Sequence, residues 1–125
     1  MTTVYLTVAE VLAIHDDQIE RYGGSPDVRD AGQLEAALFR PQTGYYDDVI
    51  AEAAALWESL SQNHPFVDGN KRTAFAVTFT FLSVNGYSIT ADETEVMKFL
   101  LPLYERSALG FDGLEKWLRS HVTSV

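Results

Sequence analysis

The stretch from Thr73 to Val84 carries Ala74, Phe75, Ala76, Val77, Phe79, Phe81 and Leu82, so apolar side chains fall on nearly every side of it. Such a segment is stable only where other elements cover it, and the rest of the chain must be arranged around it. Its threonines and phenylalanines also suit a strand, and periodicity alone does not decide between the two. The length of the run and the Asn85-Gly86 pair behind it favour a helix.

The other apolar patterns are helical as well. Thr7 and Glu10 have the spacing of a capping box, followed by Val8, Val11, Leu12, His15 and Ile19 at helical intervals, and Gly23-Gly24-Ser25-Pro26 stops the run. Asp30 is placed to cap a short second helix through Leu34, Ala37 and Leu38, which ends before Pro41. Residues 40–46 form an irregular connection, and a third helix is expected from about Asp47 to Ser61 with Trp57 on its apolar face. Tyr87-Ser88-Ile89 is a short extended link. Thr90 with Glu93 predicts a second capping box, opening a helix through Val96, Met97, Leu100 and Leu103 that Pro102 should kink or shorten. A last helix starts at about Asp112 and carries Leu114, Trp117 and Leu118. No hairpin signal, internal repeat or low-complexity segment is present. The expected architecture is all-α: a compact single-domain bundle over residues 1–125, of about six helices, with the fourth buried.

Composition narrows the function. A formal net charge of −9 argues against a surface that binds nucleic-acid backbone or anionic lipid. The absence of cysteine excludes disulfides and thiolate metal sites. The N-terminus has no basic region ahead of an apolar one, and no apolar run is long enough to span a bilayer, so a cytoplasmic protein is expected.

The chemistry is concentrated directly before the apolar run, where residues 64–73 read His-Pro-Phe-Val-Asp-Gly-Asn-Lys-Arg-Thr. Gly69 permits a tight turn and close approach of a ligand to the backbone. Asn70, Lys71 and Arg72 would open the helix with their backbone N–H groups unpaired, which together with the helix dipole makes an anion site. Arg72 adds a planar fork for phosphate oxygens and Lys71 a compact charge. Asp68 suits a hard cation such as Mg²⁺ shared with phosphates, and a neutral His64 suits proton abstraction from a hydroxyl. Phe66 is expected to plug into the core and fix the loop. His15 and His121 lie too far along the chain to be joined to it.

These residues closely resemble the signature of the Fic/Doc superfamily, H-x-F-x-D/E-G-N-G/K-R, matched by His64, Phe66, Asp68, Gly69, Asn70, Lys71 and Arg72. AMP-transferring Fic enzymes carry glycine where Lys71 stands, and usually an arginine where Phe75 stands. Both departures point to the Doc (death on curing) branch, whose loop reads N-K-R-T. Ile14-His15-Asp16, Arg21-Tyr22-Gly23-Gly24 and Asn85-Gly86 are similar to the same branch.

The resemblance implies a toxin of a Phd/Doc toxin–antitoxin system. Its activity would be to transfer the γ-phosphate of ATP, with Mg²⁺, to a threonine of translation elongation factor Tu and so arrest protein synthesis. Carried over by position, His64 is the general base, Asp68 holds Mg²⁺, and Asn70, Lys71 and Arg72 clamp the phosphates, with Gly69 giving backbone room. The resemblance further implies a flap over residues 40–48 with Tyr45 or Tyr46 against the target. Arg21 is either near the nucleotide or a cation at a helix end. No internal [ST]-x-x-x-E-[GN] inhibitory motif is found, so inhibition would come from a Phd-type antitoxin. The alternatives are a Fic-type AMP-transferase and a catalytically silent interaction module.

Overall fold

Short polar side chains set the helix starts in the computed structural model, which describes residues 2–125. Helix α1 (Val8–Tyr22) begins with the expected capping box: Thr7 Oγ1 accepts from the Glu10 N–H at 3.2 Å, and the Thr7 N–H donates to Glu10 Oε1 at 2.9 Å. Asp30 caps α2 (Ala31–Phe39) and Asp48 caps α3 (Val49–Asn63) in the same manner. Helices α4 (Asn70–Val84), α5 (Glu93–Glu105) and α6 (Phe111–His121) complete the bundle. Six α-helices among the described residues match the all-α expectation.

The start of α5 differs from expectation. Asp92 and Glu95 form its capping box, with the Glu95 N–H donating to Asp92 Oδ1 at 2.9 Å. Thr90 is occupied elsewhere, its N–H and hydroxyl both donating to the His121 carbonyl at 2.7 and 3.0 Å. Pro102 lies inside α5, which ends three residues later at Glu105.

A strand pair is also present, for which the sequence carries no signal. Tyr87–Ile89 (β1) runs antiparallel to Val122–Ser124 (β2), with Ile89 opposite Val122 and Tyr87 opposite Ser124. The ribbon fastens the end of α4 to the end of α6, so the segment expected as a bare link is half of a sheet.

Helix α3 is the most completely buried element, from Ile50 through Ser61, and packs on α2, α4 and α6. Helix α4 is covered on the face that carries Thr73, Ala74, Val77, Thr78, Phe81 and Leu82. Its other face is less enclosed than expected, and Phe79 remains 45 % exposed. Trp57 of α3 is fully buried and meets Phe75, Phe99 and Trp117 edge-on at 5.5, 6.3 and 5.9 Å, joining α3 to α4, α5 and α6.

The open face of α4 forms the floor of a cleft of about 1120 Å³ between α1 and α5. Among the described residues no helix is long and apolar enough to cross a membrane.

Candidate active site

The loop of residues 64–69 joins α3 to α4 and is tied down from both sides. Its first residue, His64, turns the chain out of α3 in a left-handed conformation, φ 47° and ψ 56°. Histidine tolerates that region better than most residues, and a cost remains. Arg29 clamps the turn: Nε donates to the His64 carbonyl at 2.6 Å and Nη2 to the Asn63 carbonyl at 2.9 Å. Beyond it, the N–H groups of Arg29 and Asp30 donate to the Pro65 carbonyl, and the Val67 N–H donates to the Asp27 carbonyl at 3.0 Å.

Phe66 plugs into the core as expected and is 1 % exposed. Its ring lies on the imidazole of His15, and His15 Nε2 is 2.8 Å from the Asp68 carbonyl. A carbonyl only accepts, so Nε2 carries the proton. His15, which could not be joined to the loop along the sequence, is thus a direct support of it.

The Asn70 side chain grips Phe66 from the other direction. Its Oδ1 accepts the Phe66 N–H at 3.0 Å, and its Nδ2 donates to the Phe66 carbonyl at 2.9 Å. The amide is therefore engaged in shaping the loop, and what Asn70 offers outward is its backbone N–H.

Gly69 caps α4 with φ 78°, and its carbonyl accepts the Thr73 N–H at 2.9 Å. A Cβ there would stand 3.2 Å from Ile19 Cδ1. No side chain caps this helix, so the N–H groups of Asn70, Lys71 and Arg72 are left without an acceptor among the described residues. Among six helices this is the one whose start is reached through a left-handed glycine.

Asp68 and Arg72 share one turn, between α1 and α2. Asp68 Oδ2 accepts the Ser25 N–H at 2.8 Å, and Arg72 Nη2 donates to the Gly23 carbonyl at 3.2 Å while its guanidinium lies 5.3 Å from the Tyr22 ring. Lys71 points the other way, its Nζ 4.5 Å from the centroid of Tyr104 on α5. Both cations line one end of the cleft, and neither is in an ion pair among the described residues. His64 is exposed, and no hydrogen bond links its ring to Asp68, Lys71 or Arg72. The structure therefore gathers the acid, both cations and the free amides at the mouth of α4, with His64 at the opposite end of the loop.

No cluster of three or more His, Asp or Glu side chains among the described residues is placed to hold a metal alone. Asp68 nonetheless fits Mg²⁺: one carboxylate oxygen is fixed by Ser25, and the other has no protein partner. Mg²⁺ commonly takes one or two carboxylates and fills its remaining positions with phosphate oxygens and water.

Residues 40–48, for which the resemblance implies a flap, are partly helical, with a 3₁₀ turn at Arg40–Thr43. Arg40 binds Tyr46 Oη at 2.7 Å, Glu58 at 2.6 Å and Ser59 at 2.9 Å, which fixes Tyr46 and leaves Tyr45 81 % exposed. Arg21 pairs with Asp17 at 2.9 Å one turn back, the geometry of a cation at a helix end. His121 stacks on Trp117 and is structural.

His15, Arg29 and Tyr104 are the contributors that sequence reasoning missed. Only His15 carried a signal, as part of the motif-like first helix.

Comparison with known proteins gives the chain a family. The model of the Fic/DOC family matches residues 5–82, more than half of the chain and all of the loop. The chain is 51 % identical over 76 residues to toxin Doc of Mycolicibacterium smegmatis, which covers 57 % of this chain and 58 % of that protein. It is 35 % identical over 89 residues to protein kinase doc of Escherichia phage P1, covering 68 % and 71 % respectively. The match thus spans less than two thirds of the mycobacterial toxin and somewhat more of the phage protein. With a buried Phe66, a left-handed Gly69 and an uncapped cationic helix mouth matching the signature residue for residue, this chain belongs to the Fic/DOC family.

Proposed function

We propose that this protein is a Doc-type toxin that transfers the γ-phosphate of ATP to a protein hydroxyl, a threonine of translation elongation factor Tu, and so arrests translation. One observation carries the reading. In a chain of net charge −9, Lys71 and Arg72 stand without carboxylate partners among the described residues, beside the free amides of α4. Such a site attracts a polyphosphate.

In the proposed reaction the substrate hydroxyl gives its proton to His64 as its oxygen bonds to the γ-phosphorus. The bond from that phosphorus to the bridging oxygen breaks, and ADP leaves. Arg72, Lys71 and the amides of residues 70–72 hold the phosphates, with Gly69 giving backbone room, and Asp68 would hold Mg²⁺ against them. Mg²⁺ supplies neutralisation of the triphosphate charge. Positioning and charge stabilisation account for most catalysis of this kind.

Phosphoryl rather than adenylyl transfer is proposed because a four-carbon cation at position 71 fills space that glycine leaves open in AMP-transferring relatives. The similarity to a protein named a kinase supports the same choice. The partner proposed is a Phd-type antitoxin whose tail folds on binding; the apolar part of the cleft, lined by Ile14, Phe79, Val96 and Leu100, supports docking of an amphipathic helix there.

Mass spectrometry of the elongation factor after incubation with ATP and Mg²⁺ tests the reading. A phosphoryl gain supports it, and an adenylyl gain replaces it with AMP transfer. Growth arrest on expression should vanish in His64→Ala with the fold intact. Arrest that persists in that variant removes the enzymatic reading altogether.

A further inference from the structure

Lys71 is the residue on which the choice of transferred group turns, and the structure shows what holds it. Its ammonium lies over the face of Tyr104, 4.5 Å from the ring centroid. Tyr104 stands in the last turn of α5, and its hydroxyl is 3.1 Å from Ser61 Oγ, a buried group on α3. Glu93 and Glu105 line the same cleft, yet neither pairs with Lys71. Burial raises the Tyr104 hydroxyl above the ordinary phenol value, so the ring is neutral at physiological pH.

A carboxylate in that position would hold Lys71 firmly and cancel its charge. A neutral ring attracts the ammonium through its quadrupole and leaves its N–H donors free for phosphate oxygens. We infer that the ring of Tyr104 is the positioning element for Lys71: it fixes the ammonium at the mouth of α4 without neutralising it, and so maintains phosphoryl transfer. This rests on the phosphotransfer reading above.

Two measurements test it. The first needs no substrate. The chain has three lysines, Lys71, Lys98 and Lys116, so a protein labelled with ¹³C-lysine gives few ε-methylene signals. The Lys71 signal is expected upfield from ring current, unchanged in Tyr104→Phe and back at the ordinary position in Tyr104→Leu. An unshifted Lys71 signal in the wild type overturns the inference.

The second is a double-mutant cycle on the transfer rate. Tyr104→Leu is expected to lower kcat about two- to fivefold, the size of an exposed cation–π contact, with Tyr104→Phe near wild type. On a Lys71→Met background the Tyr104→Leu change is expected to add nothing further. An equal loss on both backgrounds, or a Tyr104→Phe variant as impaired as Tyr104→Leu, overturns the inference.

The two readings fail separately. A shifted signal in a protein that transfers no phosphoryl group removes the phosphotransfer reading and with it the catalytic role of the contact. Phosphoryl transfer with an unshifted signal removes Tyr104 alone.

Discussion

The imidazole of His15 lies flat on the ring of Phe66, centroids 3.7 Å apart and planes 7° from parallel, while its Nε2 reaches the Asp68 carbonyl at 2.8 Å. One side chain of α1 therefore supports both the buried anchor of the loop and the backbone of its acidic residue. Burial of the whole imidazole leaves Nδ1 without a partner, a cost the packing must offset. His15→Ala removes the stack and the hydrogen bond together, and a loss of about 2–4 kcal/mol is expected in urea denaturation. His15→Phe keeps an aromatic ring of similar size and should lose only about 1–2 kcal/mol. Equal midpoints for both variants would show that stacking contributes nothing.

Asn70 makes a sharper test because its amide both donates and accepts. Asn70→Asp keeps an acceptor for the Phe66 N–H but sets a second acceptor against the Phe66 carbonyl. A new negative charge at the start of α4 recovers about 0.3–1 kcal/mol from the helix dipole. The expected net loss in urea denaturation is still about 1–2 kcal/mol, because a buried carbonyl is left unpaired. The added charge also opposes phosphate, so affinity for an ATP analogue, read by calorimetry, should fall at least about tenfold. An Asp variant as stable as the wild type would mean that the two-sided grip does not shape the loop.

What was legible in the sequence follows from the range of the interactions. Capping by Thr7 and Asp30 is settled within four residues, and both helix starts stand where the sequence puts them. The start of α5 offers two overlapping frames, Thr90 with Glu93 and Asp92 with Glu95. The choice depends on His121, whose carbonyl occupies Thr90 from 31 residues away. The β1–β2 ribbon was hidden for a related reason, since strands of three residues carry almost no periodic signal and no turn joins these two. Within the site, the motif residues fall as a contiguous group and are legible as such. His15 and Asp68 are 53 residues apart, and nothing local connects them. Fold and loop were open to reading; the supports under the loop were not.

Asp48 sets the acid limit of one helix start. Arg119 donates to both its oxygens, at 3.0 and 3.1 Å, and the Ala51 N–H donates to Oδ1 at 2.9 Å. The Arg119 bonds hold the Asp48 carboxyl below the usual range, against the effect of partial burial, and the Ala51 N–H adds to them. The unfolded chain binds this proton more readily than the folded one. The contribution is therefore complete above the unfolded value, near pH 4, and is lost as pH falls through the lower folded value. Both side chains are about half exposed, so the pair contributes only about 0.5–1 kcal/mol. Asp48→Asn is expected to be less stable than wild type by that amount at pH 7 and by almost none at pH 2. A gap that stays constant between those pH values would assign the effect to the cap alone.

Arg29 provides the test of how the proposed base is held. Its guanidinium takes the Asn63 and His64 carbonyls at the end of α3, groups with no partner in the helix, and this keeps His64 in a left-handed turn that costs about 1–3 kcal/mol. Arg29→Ala releases that turn. The expected loss of stability is about 1–2 kcal/mol, while kcat for the proposed phosphoryl transfer falls about tenfold because the backbone turn that carries the imidazole is no longer held in one conformation. The KM for ATP should change by less than about twofold, since Arg29 does not line the cleft where the phosphates are proposed to bind. Arg29→Lys supplies a single cation in place of the fork and should recover only part of the rate. The His64 ring is a second monitor, because its Cε1–H NMR signal should narrow in Arg29→Ala as the ring gains freedom on a fast timescale. Unchanged kcat together with an unchanged His64 signal would mean that the left-handed turn is maintained without Arg29, by Pro65 and the strand-like contact of Val28 with Phe66.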